Sequence, residues 1–313
     1  MGRVASVVLV TWNSAAYLPR CLAGIAQQTY PDVEVVHVDN NSQDDSIARV
    51  RGVLPSAAQI VNATNRGFAA AVNQAVKLSR GEFVFLVNPD AYLERDYIAK
   101  IVAAFDAARP EVGMATGKLM RGRGFDIEPT DEIDSMGIRM TRSGRHLDMT
   151  RIGEPFGVSG AAAAYRRTFI DDVSIDGEFL DEDFFAYRED ADVAWRGHLF
   201  GWRALYVPDA VAYHVRHVTP ERRRELAPNL NMHSVKNRFL LRLKNEGAYL
   251  AIRNAPFELA RDLIAIGAVL TIERSSLPAF GWLWLNRKRI LAKRQTIQHR
   301  RKVSDRQLAE WFR

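Results

Sequence analysis

Three groups of residues in this chain could carry chemistry. Asp90 follows an apolar run from Phe83 to Val87 and stands just beyond Pro89. An aspartate in the loop after a buried strand lies at the ligand edge of an α/β sheet, where it could bridge a divalent cation to a diphosphate. Magnesium and manganese take oxygen ligands and are often held by one or two carboxylates plus substrate phosphates, so one well-placed aspartate can be enough. An Asn88-Pro89-Asp90 triplet is also an ordinary turn.

The second group is Glu189-Asp190-Ala191-Asp192, followed by Trp195-Arg196 and preceded by Phe184-Phe185-Ala186-Tyr187. Acids at the start of a helix can be plain capping, and Asp192 and Arg196, four apart, could form a surface pair. Against that, the apolar lead-in brings the cluster to the core, where a carboxylate is suited to take a proton from a hydroxyl. The third is His214, at the end of an apolar stretch and close to His217. Imidazole is a common ligand for manganese-type ions, although a histidine at a strand end is more often hydrogen-bonded in a core.

These residues need a scaffold, and the pattern supplies one. Apolar runs at Val4–Val10, Val33–Val38, Gln59–Val61 and Phe83–Val87 alternate with helical stretches beginning near Tyr17, Asp44, Gly67 and Glu94. Strands apolar at consecutive positions imply a mostly parallel sheet with helices on both faces. Right-handed crossovers then bring the post-strand loops to one edge. Those loops are polar: Thr11-Trp12-Asn13-Ser14, Asp39-Asn40-Asn41-Ser42, Asn65-Arg66-Gly67 and Asn88-Pro89-Asp90. Each could be turn and capping chemistry alone; four together predict a binding site.

From Arg121 to Glu154 the pattern weakens, which predicts a mobile or elaborated loop. The small residues Ser159 to Ala164 allow either close ligand approach or tight packing. From Glu221 onward helical periodicity dominates, and 20 Lys and Arg against 8 Asp and Glu leave a net charge of +12, whereas the first 220 residues carry 23 against 29, or −6. A basic tail of this kind suits a phospholipid surface or a nucleic acid. The charge-free stretches Asp262–Glu273 and Arg274–Arg287 fall short of the roughly 20 residues a spanning helix needs. Ala279 to Leu285 followed by Arg287-Lys288-Arg289 therefore reads as an interfacial helix with a basic rim, or as a helix pair packed on the sheet domain. Cys21 is the sole cysteine, which leaves no intramolecular disulfide and fits a cytoplasmic setting. The N-terminal apolar run reads as a first strand and is too short for a signal peptide.

Taken in order, Thr11-Trp12-Asn13, Asp39-Asn40-Asn41-Ser42, Asn65-Arg66-Gly67-Phe68, Asn88-Pro89-Asp90 and Glu189-Asp190-x-Asp192 resemble family 2 glycosyltransferases of the GT-A fold, in particular the bacterial rhamnosyltransferase-like branch. The resemblance covers residues 4 to 220 and, more loosely, the C-terminal helices. It implies a nucleotide-sugar-binding and catalytic domain over 1–220 and a basic helical appendage over 221–313. Thr11, Asn13 and Asp39 would hold the base and ribose of the donor, Asn65 and Gly67 would line the diphosphate side, and Asn41 and Asn88 would also belong to the nucleotide-sugar site. Asn88-Pro89-Asp90 looks like the family's Asp-x-Asp motif with its first acid replaced, so Asp90 would bind Mn2+ or Mg2+ and His214 would be a further ligand. Asp190 would be the base. Trp12, Gly160, Glu189, Asp192, Trp195 and Arg196 would border the acceptor or support that base.

The implied reaction is an inverting transfer from a dTDP- or UDP-sugar, L-rhamnose first, to a lipid-linked saccharide or polysaccharide in cell-envelope synthesis. The enzyme would sit peripherally on an anionic membrane surface at the cytoplasmic face. UDP-galactofuranose or a UDP-hexose are alternative donors. A sugar-phosphate nucleotidyltransferase would need a Gly-rich basic loop where Thr11-Trp12-Asn13 stands. A non-catalytic anion binder could use the +12 tail, but no nucleic-acid module appears, and no nucleic-acid partner is expected.

Overall fold

The structure, a computed structural model, describes residues 3–216 and 228–313. The domain boundary expected at 220 and 221, and His217, lie outside the described residues.

The chain begins with β1 (Ala5–Thr11), α1 (Leu18–Ala26), β2 (Val33–Asp39), α2 (Ser46–Val53), β3 (Ala58–Val61), α3 (Phe68–Leu78) and β4 (Phe83–Val87). Along β1 every side chain is buried, and the period of two sends alternate residues to opposite faces. Val8 and Val10 join the core under α3, while Ala5, Val7 and Leu9 join the core under α1. Helices on both faces are what a continuously apolar strand demands.

The chain continues through β5 (Ala91–Leu93), α4 (Tyr97–Ala107), β6 (Val112–Arg123), β7 (Glu128–Ser135), β8 (Ile138–Met140), β9 (His146–Asp148), β10 (Ala162–Arg166), α5 (Arg167–Val173), α6 (Glu189–Leu199) and β11 (Arg203–His214). The large sheet runs β3-β2-β1-β4-β10-β6-β11-β5, with β7 added to β6. The four strands β3, β2, β1 and β4 are parallel, and Thr11 lies opposite Asp39, so the loops after them emerge on one edge. The remainder is mixed: β10 is antiparallel to β4 and β6, and β11 is parallel to β6 and antiparallel to β5.

The stretch from Arg121 to Glu154 is not one loop. It forms the edge strand β7 and the β8–β9 hairpin. Glu128, Asp131 and Glu132 are exposed on β7, and an edge strand protected by charge reads as polar loop in sequence.

Five helices follow: α7 (Pro228–Asn245), α8 (Ala248–Thr271), α9 (Pro278–Leu285), α10 (Arg287–Arg300) and α11 (Asp305–Leu308). Leu240, Leu241, Leu250, Ile290 and Phe312 share one buried cluster with Val8 of β1 and Trp195 of α6. The C-terminal region is thus packed into the sheet's own core. No single helix among the described residues is long and apolar enough to cross a membrane, but α8 and the segment Arg274–Leu285, bent by 109° at their junction, pass that test as a pair by length and composition.

Candidate active site

Strand register builds the first corner of the site. β11 pairs with β5 so that His214 lies opposite Ala91, and Val215 N donates to the Asp90 carbonyl at 3.0 Å. The His214 Nε2 stands 3.6 Å from Asp90 Oδ1, too long for a hydrogen bond. Two ligands each about 2.1 Å from one cation stand about 3 to 4 Å apart, so the pair can share a metal ion. The other ring nitrogen, Nδ1, is 2.9 Å from Asp134 Oδ2. A carboxylate behind a histidine sets its tautomer and aims Nε2 outward, the usual second partner of a metal-bound imidazole.

Asp134, on β7, has a fully buried side chain and also receives Arg216 Nε at 2.7 Å. Burial pushes its carboxyl up, but the bonds from His214 and Arg216 outweigh this and hold it below the usual carboxylate value. Burial lowers His214, and Asp134 together with the Asp90 charge reverses that, so its net shift is upward. Among the described residues no three His, Cys, Asp or Glu side chains converge as a metal-binding group. Asp90 and His214 fit a cation completed by donor phosphate oxygens and water.

The second corner comes from the loops after β1, β2 and β3. Asn13 and Asn41 hold φ of 51° and 69°, a left-handed conformation that asparagine tolerates better than most side chains. Asn13 N donates to Ser42 Oγ at 2.9 Å, and Gln43 N donates to Asn13 Oδ1 at 2.7 Å. Asn40, buried, donates to the Gly67 carbonyl and accepts from Asn62 Nδ2 and Arg66 N, tying the second loop to the third. Asn65 Oδ1 receives Gly67 N at 2.9 Å. Gly67 has φ of 86°, and a Cβ there would lie 2.5 Å from the Phe185 ring, so only glycine fits.

Three of the expected donor-binding residues are covered in this structure. Thr11 and Asp39 are fully buried, and the Thr11 hydroxyl donates to Asp39 Oδ1 at 2.8 Å while Ser42 N donates to Asp39 Oδ2. They shape the donor loops from beneath and present no open side chain to a nucleoside. Because the Thr11 proton goes to Asp39, His37 Nε2, 2.8 Å from Thr11 Oγ1, must be the protonated ring nitrogen. Gly67 is likewise covered by Phe185. Trp12 and Asn13 are exposed, and Asn41, Asn65 and Asn88 are half-buried.

The third corner is the N-terminus of α6. Asp190 Oδ1 receives Ala191 N at 2.7 Å, and Oδ2 receives Gly160 N at 3.4 Å. Ala161, next to Gly160, accepts from Asn88 N at 3.0 Å, which joins Asp190 through the lead-in to β10 to the Asn88–Asp90 loop. A second connection runs through charge: Arg216 bridges Asp134 to Asp148, 2.7 Å away, and the Asp148 charge raises Asp190. Burial is the main cause of that rise, to about 6. Glu189 is buried beside it and is pushed up further, to about 8, by burial and then by the Asp190 charge. Both carboxyls are pushed upward and titrate as a pair, so a carboxylate at this helix start is more basic than an ordinary aspartate.

Three other residues of this stretch do not reach the cleft. Asp192 is fully buried and bonded to Arg196, Lys244 and Asn245. Arg196, expected in a surface pair, is also buried and donates to the carbonyls of Val173 and Phe179. Trp195 packs against Phe156 and Phe312 in the core. Helical spacing turns residues 192, 195 and 196 to one face, and α6 is buried on every side from Ala191 to Leu199.

Residues 6–174 match the family model for glycosyl transferase family 2. The chain belongs to that family. The transferase is 28% identical over 281 residues to N-acetylglucosaminyl-diphospho-decaprenol L-rhamnosyltransferase of Mycobacterium tuberculosis, with 80% of this chain and 88% of the relative covered. It is 32% identical over 133 residues to a PGL/p-HBAD biosynthesis glycosyltransferase of Mycobacterium bovis, covering 39% of this chain and about half, 52%, of that relative's length. Among solved structures it is similar to the mannosyltransferase PcManGT from Pyrobaculum calidifontis in complex with GDP-Man and Mn2+, with TM-score 0.55 and 22% identity over 96% of this chain and 84% of that one. It is also similar to Staphylococcus aureus TarS 1-349, with TM-score 0.57 and 21% identity over 88% and 77% of the chains. These likenesses show the GT-A fold.

Sequence reasoning about this transferase missed Asp134, Asn40 and Phe185. Asn40 stood inside a motif already singled out, and its role as a strut between loops depends on β2–β3 pairing. Asp134 had no local signal, because the charged and polar residues that dominate β7 read like a turn.

Proposed function

We propose that this transferase moves a sugar, L-rhamnose from a dTDP donor, to a hydroxyl of a lipid-linked saccharide or polysaccharide with inversion at the anomeric carbon. The observation that carries the reading is the Asp190 carboxylate: it is half-buried, raised to about 6, and anchored through Gly160 to the strand lead-in that also holds the Asn88–Asp90 loop. Asp190 takes the proton of the acceptor hydroxyl as the oxygen attacks the anomeric carbon. The new C–O bond forms, the bond to the diphosphate breaks, and the nucleoside diphosphate leaves. A single displacement inverts configuration. Asp90 and His214 would hold a Mn2+ or Mg2+ ion, which supplies charge stabilisation for the departing diphosphate. Rhamnose is supported by the motif order and by the activity that the mycobacterial relative is named for.

The acceptor side of the proposal rests on α8 and α9. Ile252, Leu259, Leu263, Ile264, Trp284 and Leu285 are exposed, Ile252 and Leu285 by 78% and 79%. Arg274, Arg287 and Lys288 are exposed beside them. α9 is apolar all round, so its polar partner is the basic start of α10 and not a face of its own. Exposed apolar side chains with a cationic rim suit a peripheral site on an anionic, cytoplasmic membrane face, where a lipid-linked acceptor would be presented.

The test is thermal stabilisation by a panel of dTDP-, UDP- and GDP-sugars with and without Mn2+, since a ligand bound only by the folded state raises its apparent stability. dTDP-rhamnose with Mn2+ is expected to give the largest shift; a larger shift with a UDP-sugar would replace rhamnose, and no metal dependence would remove the cation from the scheme.

A further inference from the structure

The segment leading into Asp190 follows a path that its own sequence does not favour. Phe185, Tyr187 and Arg188 hold φ of 65°, 71° and 72°, and L side chains enter that region only where their surroundings impose it. The imposing group comes from α7. Asn237 is fully buried, and its Nδ2 donates to the carbonyls of Phe184, Ala186 and Tyr187 at 2.9, 2.8 and 2.8 Å. An amide nitrogen has two protons, so one is shared between two of these carbonyls. The opposite orientation would set an oxygen against three oxygens. Asn237 Oδ1 has no hydrogen-bond partner among the described residues, a cost that a purely stabilising side chain would not carry.

Neighbouring contacts fix both ends of the same segment. Lys236 Nζ donates to the Asp183 carbonyl. Lys244 is paired with Asp181 before the segment and with Asp192 after it. His233 stacks on Phe185 at 4.5 Å, and the Phe185 carbonyl receives Ala69 N at the start of α3. Among the described residues Asp190 itself has only the weak 3.4 Å bond to Gly160 and the local bond to Ala191. Its position is therefore set by the buried body of α6 that follows, anchored through Asp192, and by what holds the preceding residues.

We propose that Asn237 is a positioning residue for the base: its three bonds hold Phe184–Arg188 in the left-handed path that delivers Asp190 to the cleft. This rests on the reading of Asp190 as base. Without the bonds Phe185, Tyr187 and Arg188 relax toward negative φ, the first turn of α6 rotates, and the carboxylate moves off the acceptor hydroxyl.

The experiment uses the full chain with Asn237→Ala and Asn237→Ser, beside Asp190→Asn. For Asn237→Ala, kcat per folded molecule is expected to fall roughly 10- to 100-fold, with Mn2+-dependent donor affinity changed less than about threefold, because misplacing a reacting group by an ångström acts on the chemical step. Asn237→Ser, which keeps one donor, should fall between, and also carries the test if the alanine variant does not fold. The acid limb of kcat/KM should move, and amide exchange over residues 184–191 should quicken. A lowered Tm with kcat per folded molecule and acid limb unmoved would overturn the proposal, whereas full activity in Asp190→Asn would remove the base assignment on which it rests.

Discussion

The donor half of the cleft and the base half are built by different means. Around β1, β2 and β3 the loops are short, and Asn13, Asn40, Asn65 and Ser42 satisfy backbone groups within their own or an adjacent loop. The base half is held from far along the chain: Asp192 of α6 is bonded to Lys244 and Asn245, and Asp181 to Lys293, more than 50 residues away in each case. Locally satisfied loops keep their shape when a distant helix shifts. The base cannot, because its support is the C-terminal region itself.

The sharpest way to break this comparison is at the base. Asp190→Asn should lower kcat by about 10³-fold, within the span general-base catalysis contributes, and leave calorimetric nucleotide affinity intact. Retained turnover would return the base half to a structural role. Next in size is Lys244→Met, which leaves Asp181 and Asp192 buried without their shared cation. Breaking a buried ion pair from one side costs about 3–5 kcal/mol, read from urea unfolding, and activity should fall with the folded fraction.

A smaller effect sharpens the metal corner. Asp134→Asn should weaken Mn2+-dependent donor binding by about 10- to 100-fold, as removal of a carboxylate behind a ligating histidine does; equal affinities in a calorimetric titration would separate His214 from the cation. The pH dependence comes next. As the proposed base Asp190 would work deprotonated, and burial raises it to about 6, so kcat/KM should climb as pH rises through about 6 and level above it. An ordinary aspartate would put that limb near about 4. Smallest is Arg287→Glu on α10, which should weaken co-sedimentation with anionic vesicles by several-fold, since each cation near such a surface contributes about 1 kcal/mol. Neutral vesicles should show little change.

Much of the donor half was readable in the sequence. Consecutive Val and Leu in β1 and polar residues at each strand end lead directly to parallel strands with loops on one edge, and Asn at left-handed positions and Gly67 at a crowded one are local requirements. Asp192, Trp195 and Arg196, expected from the resemblance to border the acceptor or support the base, are buried with the rest of α6 from Ala191 to Leu199, which helical spacing alone does not reveal.

By itself the sequence determined the family and the parallel start of the sheet, and it singled out Asp90, Asp190 and His214 as candidates, because motif order and strand periodicity are properties of neighbouring residues. Only the tertiary structure decided that Asp134 stands behind His214, that Thr11 and Asp39 are struts, and that Asn237 holds the path into α6. Each of those depends on pairing between distant strands or packing between distant helices, and no short-range pattern encodes which distant partner a buried polar group will meet.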